Sequence, residues 1–250
     1  MTIKQTWNAK TYQDNASFVS DLGGAVIRLL DPKPAERILD LGCGDGTLMG
    51  RIAATGANII GVDTSRSLLA AATSRGLDVR EMSGTKLKLD HGFDAVFSNA
   101  VLHWINEPEL LINQVHTVLN ARGRFVGEFG GHGNVAAIVT AMRAVALRRG
   151  ADMKLAGPWF FPTHDEYRGL LERDGFDVQC CELHPRPTLL PSDMAGWLLT
   201  FRKPFFEQFN GAEREKALKE TLDLLAPSLC DTKGQWSADY VRLRFHAVKI

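Results

Sequence analysis

Short apolar runs alternate with amphipathic segments through the first half of the chain, and this alternation constrains the fold more than any other feature. The predicted strands cover residues 36–41, 58–62, 77–81, 93–98 and 123–129. The segments between them have helical spacing and end in cap residues, glycine or proline. Strands that alternate with helices at this spacing form a parallel sheet with helices on both faces. The sequence therefore predicts a doubly wound α/β fold.

The second half is less regular. Helices are predicted over residues 16–30, 134–149 and 204–225, and later strands over 176–183 and 240–250. Thr163 and Glu166 form a Thr-x-x-Glu capping box ahead of a helix that ends before Gly175. With these, the prediction is one α/β domain over residues 1–250: a mostly parallel, seven-stranded sheet with a helical insertion, or lid, between the late strands.

Composition excludes several classes of partner. The 250 residues hold 29 Lys plus Arg and 29 Asp plus Glu, so no global field favours nucleic acid or a membrane surface. The four cysteines include no CxxC pair, so we expect no metal site. Neither a signal peptide nor an apolar run of membrane-spanning length is present, and we expect a cytoplasmic protein.

The stretch ILDLGCGDG, residues 38–46, joins a buried strand to a loop with glycine at every second position. A dinucleotide fingerprint, G-x-G-x-x-G, would need its third glycine at position 47, which is Thr47. Asp40 and Asp45 flank the loop and would repel a pyrophosphate. The loop thus favours a cofactor with a positive centre, which S-adenosylmethionine has. A nicotinamide-dependent oxidoreductase stays open as the alternative.

Asp63 ends the second predicted strand, in IIGVD, at the edge where doubly wound sheets bind ligands. A carboxylate there can accept both hydroxyls of a ribose. It can also serve as the anion at the N-terminus of the following helix, near Thr64. The sequence leaves both interpretations open.

Three segments, ILDLGCGDG, GVD and FDAVFSNAVLHWI, together resemble class I S-adenosylmethionine-dependent methyltransferases. The nearest resemblance is to the small-molecule group that contains trans-aconitate methyltransferase. It implies a cofactor-binding core over residues 35–130, an N-terminal helical cover over 1–34, late sheet elements with the lid over 131–239, and a last strand over 240–250. S-adenosylmethionine is the implied cofactor.

The resemblance also implies which residues bind the cofactor. Asp40 and the segment at Asn99 are expected at the methionine end, Asp63 at the ribose, and Leu68 near the adenine. The family often has GDA after the third strand, whereas this chain has Ser83 and Gly84 at the last two positions. The full set is Asp40, Gly42, Cys43, Gly44, Gly46, Asp63, Thr64, Leu68, Ser83, Gly84, Asn99 and Ala100. A turn role is the alternative for Asn99.

The acceptor side has fewer signals. His103, beside Trp104, is the candidate catalytic residue, either as a general base or as a group that orients the acceptor. Its alternative is a loop histidine that packs on Trp104 and bonds a backbone carbonyl. Glu128 and His132 follow the fifth strand and are further candidates.

Aromatic and arginine side chains elsewhere are candidates for an apolar acceptor pocket and for binding a carboxylate. The aromatic set is Trp7, Tyr12, Trp159, Phe160, Phe161, Trp197, Phe201, Phe205 and Phe206, and the arginines are Arg143, Arg148, Arg149, Arg186 and Arg202. More often such residues bury helix faces or carry solvated charge.

The predicted function is methyl transfer to a small-molecule acceptor, such as a carboxylate or hydroxyl compound. A non-catalytic S-adenosylmethionine-binding protein is a further alternative. Nucleic-acid methylation is disfavoured by the neutral charge, and SNAV stands where amino-methylating DNA enzymes have an Asn/Asp-Pro-Pro-aromatic tetrad. The sequence leaves the oligomeric state open.

Overall fold

The structure is a computed structural model that describes residues 23–250. Trp7, Tyr12 and most of the predicted N-terminal cover lie outside the described residues. The strands are β1 Arg37–Leu41, β2 Asn58–Asp63, β3 Val79–Glu81, β4 Phe93–Asn99, β5 Leu119–Gly130, β6 Phe176–Leu189 and β7 Ser237–Lys249. The helices are α1 Gly24–Leu30, α2 Thr47–Ala53, α3 Arg66–Ser74, α4 Pro108–Val118, α5 Ala136–Arg149, α6 His164–Arg173, α7 Met194–Phe201, α8 Lys203–Phe206 and α9 Gly211–Leu229.

The seven strands form one sheet in the order β3-β2-β1-β4-β5-β7-β6. Neighbouring strands from β3 to β5 are parallel, and β7 is antiparallel to β5. The predicted doubly wound, mostly parallel sheet is thereby confirmed. Strand order reverses between β1 and β4, which is where open α/β sheets bind ligands.

Alternate residues of the central strands enter opposite hydrophobic clusters. On β1, Leu39 belongs to a cluster with residues of α4 and α6, whereas Ile38 packs with residues of α1 and α2. On β4, Val96 and Phe97 divide between the same two clusters. Helices therefore cover both faces of the sheet, which explains why its strands are apolar runs.

Local sequence signals account for several element boundaries. The Ser65 side chain accepts from the Leu68 N–H and caps α3, and the Thr163–Glu166 capping box begins α6 as predicted. β6 continues six residues past its predicted end at Leu183. Pro185 and Pro187 argue against a strand there, but β6 is an edge strand, where a missing N–H is tolerated.

The helical segments after β6 differ from the prediction. The helix expected over 204–225 is two helices, α8 and α9, because Asn210 is extended and Gly211 has a φ of +47°. The sequence reading also missed α7, whose N-cap is Asp193. Its apolar sequence, MAGWLLTF, has no polar face that would reveal helical periodicity.

The described residues cluster into two compact units. The sheet unit comprises residues 23–132, 160–184 and 242–250, and the helical unit comprises 133–159 and 185–241. That the whole chain is a single domain stays a prediction. Among residues 23–250 no helix has the length and apolar character needed to cross a membrane.

The Lys249 side chain connects β7 to the end of α4 within the sheet unit. Its ammonium donates to the carbonyls of His116, at 2.7 Å, and Leu119, at 2.9 Å, at the C-terminal end of α4. We expect Lys249→Met to lower the free energy of unfolding by about 2 kcal/mol, because two carbonyls lose a charged donor. Urea denaturation measures this change.

The matched control is Lys88→Met. The Lys88 side chain is exposed and makes no ion pair or hydrogen bond with other described residues. This variant should stay within about 0.5 kcal/mol of the wild type. Equal effects of the two substitutions would contradict the role given to Lys249.

Candidate functional site

The predicted site residues follow β1, β2 and β4 at one edge of the sheet unit. β1 pairs with both other strands in parallel register, so their carboxyl ends meet there. The Ser98 hydroxyl on β4 donates to the Leu41 carbonyl on β1 at 2.8 Å, and both residues are buried. This bond fixes the start of the glycine loop relative to the segment after β4.

Main-chain bonds hold the glycine loop against β2. The N–H groups of Gly42 and Cys43 donate to the Val62 carbonyl at 2.7 and 3.1 Å. Gly42 has a φ of +80°, and a Cβ there would lie 2.3 Å from a Val101 methyl group, so only glycine fits. Gly46, at a φ of +80°, stands at the N-cap of α2.

Gly44 differs from the other loop glycines in what surrounds it. Its φ is +57°, and a Cβ built there would meet no atom of residues 23–250 within 4 Å. Its N–H donates to an oxygen of Asp63 at 3.0 Å. The loop thus presents an open stretch of backbone at Gly44, which a ligand can approach closely.

Asp40 is a buried carboxyl group at the end of the central strand. It is 2% exposed, and no group in residues 23–250 hydrogen-bonds to its side chain. Burial, reinforced by the charge of Asp63, raises the pKa of Asp40 to about 8. An enclosed carboxyl group without a donor is suited to a ligand that brings positive charge or N–H groups.

Asp63 joins the glycine loop to the start of α3. One carboxylate oxygen accepts the Gly44 N–H and the other accepts the Ser65 N–H at 2.8 Å. The role of Asp63 as the anion near a helix N-terminus is therefore present in the structure. Each oxygen keeps a further lone pair, so a ribose role is compatible with these bonds. Thr64 beside it is exposed, and Leu68 is buried on α3.

Asp45 has a local role that sequence reasoning missed. Its carboxylate accepts the Thr47 N–H and hydroxyl at 3.1 and 3.0 Å, and it lies 3.2 Å from an Arg75 nitrogen. Because Arg75 offsets part of its charge, Asp45 repels an anion less than the sequence suggested. The argument against a pyrophosphate therefore depends mainly on Asp40.

The Ser83 hydroxyl is engaged within its own turn. It lies 3.0 Å from the Thr85 hydroxyl and accepts the Thr85 N–H at 3.3 Å. Gly84 is buried, and a Cβ there would lie 2.8 Å from a Leu111 methyl group. This turn occupies the position expected near the adenine.

Asn99 and Ala100 lie at the end of β4, next to β5. Ala100 has a φ of +60°, and its N–H donates to the Glu128 carbonyl at 2.7 Å. No described group hydrogen-bonds to the Asn99 side chain, so the turn alternative for this residue is not observed. Asn99 is half-buried and lies at the same edge of the sheet as the glycine loop.

His103 lies in a short 3₁₀ helix, Leu102–Trp104, and its side chain is 6% exposed. Its Nδ1 accepts the Gly130 N–H at 3.2 Å, and its ring centroid lies 5.4 Å from Trp104 and 5.7 Å from Phe161. Burial, and secondarily Arg242, hold its pKa well below its usual range. The packing on Trp104 agrees with the alternative in which His103 is a structural loop histidine. Its backbone partner, however, is an N–H group rather than a carbonyl.

The two other acceptor-side candidates are placed differently. Glu128 is 1% exposed, and one of its oxygens accepts from Arg244 Nε and Nη2 at 2.9 and 2.6 Å. His132 is exposed, and its N–H donates to the Pro162 carbonyl. Sequence reasoning missed Gly130, Arg242 and Arg244, although two arginines within the apolar run VRLRF were an available signal.

The aromatic and arginine candidates divide between the units. Within the sheet unit, Phe160 packs against the main core cluster and Phe161 contacts His103. Within the helical unit, Arg202 is 1% exposed and its guanidinium lies over the Trp159 ring at 4.6 Å. The other aromatic candidates in that unit are Trp197, Phe201, Phe205 and Phe206, and all four are buried.

Two of the remaining arginines are committed to ion pairs. Arg148 and Arg149 both pair with Glu220, and Arg149 also pairs with Glu213. Arg143 is exposed. Across the described part of the chain, no cluster of His, Cys, Asp or Glu has an arrangement that could hold a metal ion.

Comparisons with known proteins identify the family of the chain. A family model described as a methyltransferase domain matches residues 39–127. An uncharacterised methyltransferase of Schizosaccharomyces pombe is 38% identical, over 97% of this chain and 98% of its own. Trans-aconitate 2-methyltransferase of Deinococcus radiodurans is 32% identical over 42% of this chain and 43% of its own.

Solved structures support the fold. A proposed methyltransferase of Bacillus halodurans has a TM-score of 0.65 at 14% identity, covering 92% of this chain and 99% of its own. A second structure is Haemonchus contortus phosphoethanolamine N-methyltransferase 2 in complex with S-adenosylhomocysteine. It has a TM-score of 0.56 at 15% identity, and the match covers 92% of this chain and 52% of its own. The chain belongs to the class I S-adenosylmethionine-dependent methyltransferases.

Proposed function

We propose that the protein transfers the methyl group of S-adenosylmethionine to a small molecule, through a carboxylate or hydroxyl oxygen of that acceptor. The assignment of the cofactor rests on the buried Asp40 carboxyl group, which has no hydrogen-bond donor among the described residues. Asp40 lies just before the glycine loop, whose backbone is open at Gly44. Similarity to trans-aconitate 2-methyltransferases over two fifths of the chain supports a small acceptor.

The residues at this edge fit the cofactor. We assign Asp40 and Asn99 to its methionine end, because both have unused polar atoms and Asp40 favours a cation. Asp63 retains lone pairs for the ribose hydroxyls. The remaining proposed contacts are the loop residues Gly42, Cys43, Gly44 and Gly46, with Thr64, Leu68, Ser83, Gly84 and Ala100.

The bound cofactor supplies an electrophilic methyl group on a sulfonium, which is displaced in line by the acceptor. The protein's task is to align the acceptor with that carbon and exclude water. We assign this orienting task to His103, whose ring is enclosed by Trp104 and Phe161.

The alternatives fit less well. A nicotinamide cofactor brings a pyrophosphate toward a loop whose nearest buried group is a carboxyl, and family membership does not favour it. A non-catalytic cofactor-binding protein would show the same pocket and differs only in lacking turnover.

A methyl substituent on the open loop tests the cofactor position. Because a Cβ at Gly44 meets no atom of the described residues within 4 Å, Gly44→Ala should cost about 1 kcal/mol of stability, and this cost comes from its positive φ. If the cofactor lies on that backbone, the Kd for S-adenosylmethionine should rise by about tenfold or more. Isothermal titration calorimetry measures the binding.

Gly50→Ala is the matched control, since Gly50 on α2 is also open within 4 Å but has no positive φ. It should leave the Kd unchanged and stabilise the protein by about 0.5–1 kcal/mol. Wild-type affinity in Gly44→Ala would contradict the proposed position.

The raised pKa of Asp40 predicts a pH dependence of cofactor binding. The cationic end of the cofactor favours the carboxylate, whereas the free protein holds this group protonated below about pH 8. Affinity for S-adenosylhomocysteine should therefore increase on the order of tenfold from about pH 6.5 to about pH 8.

Calorimetry across that range checks the prediction, and buffers of different ionisation enthalpy count the protons released. The Asp40→Asn side chain cannot ionise. Any pH dependence of the affinity that remains in this variant therefore comes from groups other than Asp40. If the variant and the wild type have the same slope, Asp40 does not contact the cation.

Turnover separates the enzyme from a binding protein. The protein is assayed against a panel of small carboxylates and hydroxyl compounds that includes trans-aconitate. We expect at least one member to cause release of S-adenosylhomocysteine, which a homocysteine-coupled assay measures. Asp63→Ala, checked for folding by circular dichroism, is the negative control. Tight cofactor binding with no turnover on any panel that also contains amines would favour the binding protein.

A further inference from the structure

The main chain holds the His103 ring in one tautomer. Nδ1 lies 3.2 Å from the amide nitrogen of Gly130, and this amide N–H can only donate. Nδ1 must therefore carry a lone pair. In a neutral imidazole the single proton is then on Nε2, so the ring presents an N–H donor there.

The surroundings of the ring oppose a second proton. Protonation of Nδ1 would displace the Gly130 N–H and place a cation at a position that is 6% exposed. Arg242, which is opposite Gly130 in the β5–β7 ladder, adds positive charge nearby. The Glu128 carboxylate on the same ladder is bonded to Arg244.

The other ring nitrogen is available. Among the described residues, none hydrogen-bonds to Nε2, and the ring contacts the rings of Trp104 and Phe161. Resting on the proposed function, we propose that His103 serves methyl transfer as a fixed hydrogen-bond donor through Nε2–H, and not as a general base. Gly130 and Arg242 are the residues that position and maintain this donor.

This role limits the acceptor. A donor at Nε2 binds an oxygen lone pair and takes no proton from the acceptor. The attacking atom must therefore reach the site already deprotonated, as a carboxylate oxygen does at neutral pH, whereas a neutral hydroxyl or an ammonium nitrogen would need a base that this ring does not supply.

Nuclear magnetic resonance tests the state of the ring without any acceptor. The wild-type protein with ¹⁵N-labelled histidine is compared with His103→Gln to assign the His103 ring signals. We expect the Nε2–H tautomer and no titration of this ring from about pH 5 to about pH 9, since a free histidine titrates near pH 6.5. The Nδ1–H tautomer, or a titration within that range, would overturn the proposal.

Paired substitutions test what the donor does. His103→Gln keeps an N–H group near the position of Nε2 and has no base, whereas His103→Leu keeps neither. With the acceptor that the carboxylate and hydroxyl panel identifies, at saturating cofactor, the glutamine variant should keep kcat within about tenfold, and the leucine variant should lose about a hundredfold. Equal losses, with a wild-type kcat that increases as a histidine deprotonates, would indicate a base.

The two failures are distinguishable. If no panel member is methylated, the proposed function fails, and the tautomer and titration of His103 still decide the state assigned to its ring. If turnover is found but the ring titrates, only the role of His103 is wrong.

Discussion

A carboxyl group enclosed at the end of the central strand is the constraint on which the site depends. β1 lies between β2 and β4, so Asp40 has a neighbouring strand on each side, and its side chain is buried. Ionising it there is unfavourable, because no described donor compensates the lost hydration and Asp63 carries like charge. A cation-bearing ligand relieves this penalty, whereas an anionic one increases it.

Main-chain groups, rather than long side chains, define most of the surrounding geometry. The Val62 carbonyl fixes the glycine loop, the Gly44 N–H is held by Asp63, and the Gly130 N–H orients His103. Strands supply or flank these groups, so the sheet itself places the atoms that we propose face the cofactor and the acceptor. Sites carried on such elements are more rigid than sites carried on long loops.

The proposed cofactor side of the site depends on sequence information that is local. Gly42 to Gly46 and Asp63 each follow a strand whose apolar run is readable, and each acts within a few residues of its own strand. The acceptor side depends on the pairing of β5 with β7, which brings Arg244 to Glu128 across 116 positions. Periodicity within one segment carries no information about such pairing, and the bond between Glu128 and Arg244 was therefore missed.

The place of β7 in the sheet also bears on how the chain folds. β7 lies between β5 and β6, and the two segments of the helical unit separate it from β5 in the sequence. The contacts from β1 to β5 span much shorter separations, so their loops close at a smaller entropic cost. The contacts of the glycine loop with β2 therefore close at a smaller sequence separation than those of Arg242 and Arg244 with β5. Topology therefore favours an order of assembly in which β1 to β5 pair before β7 joins them.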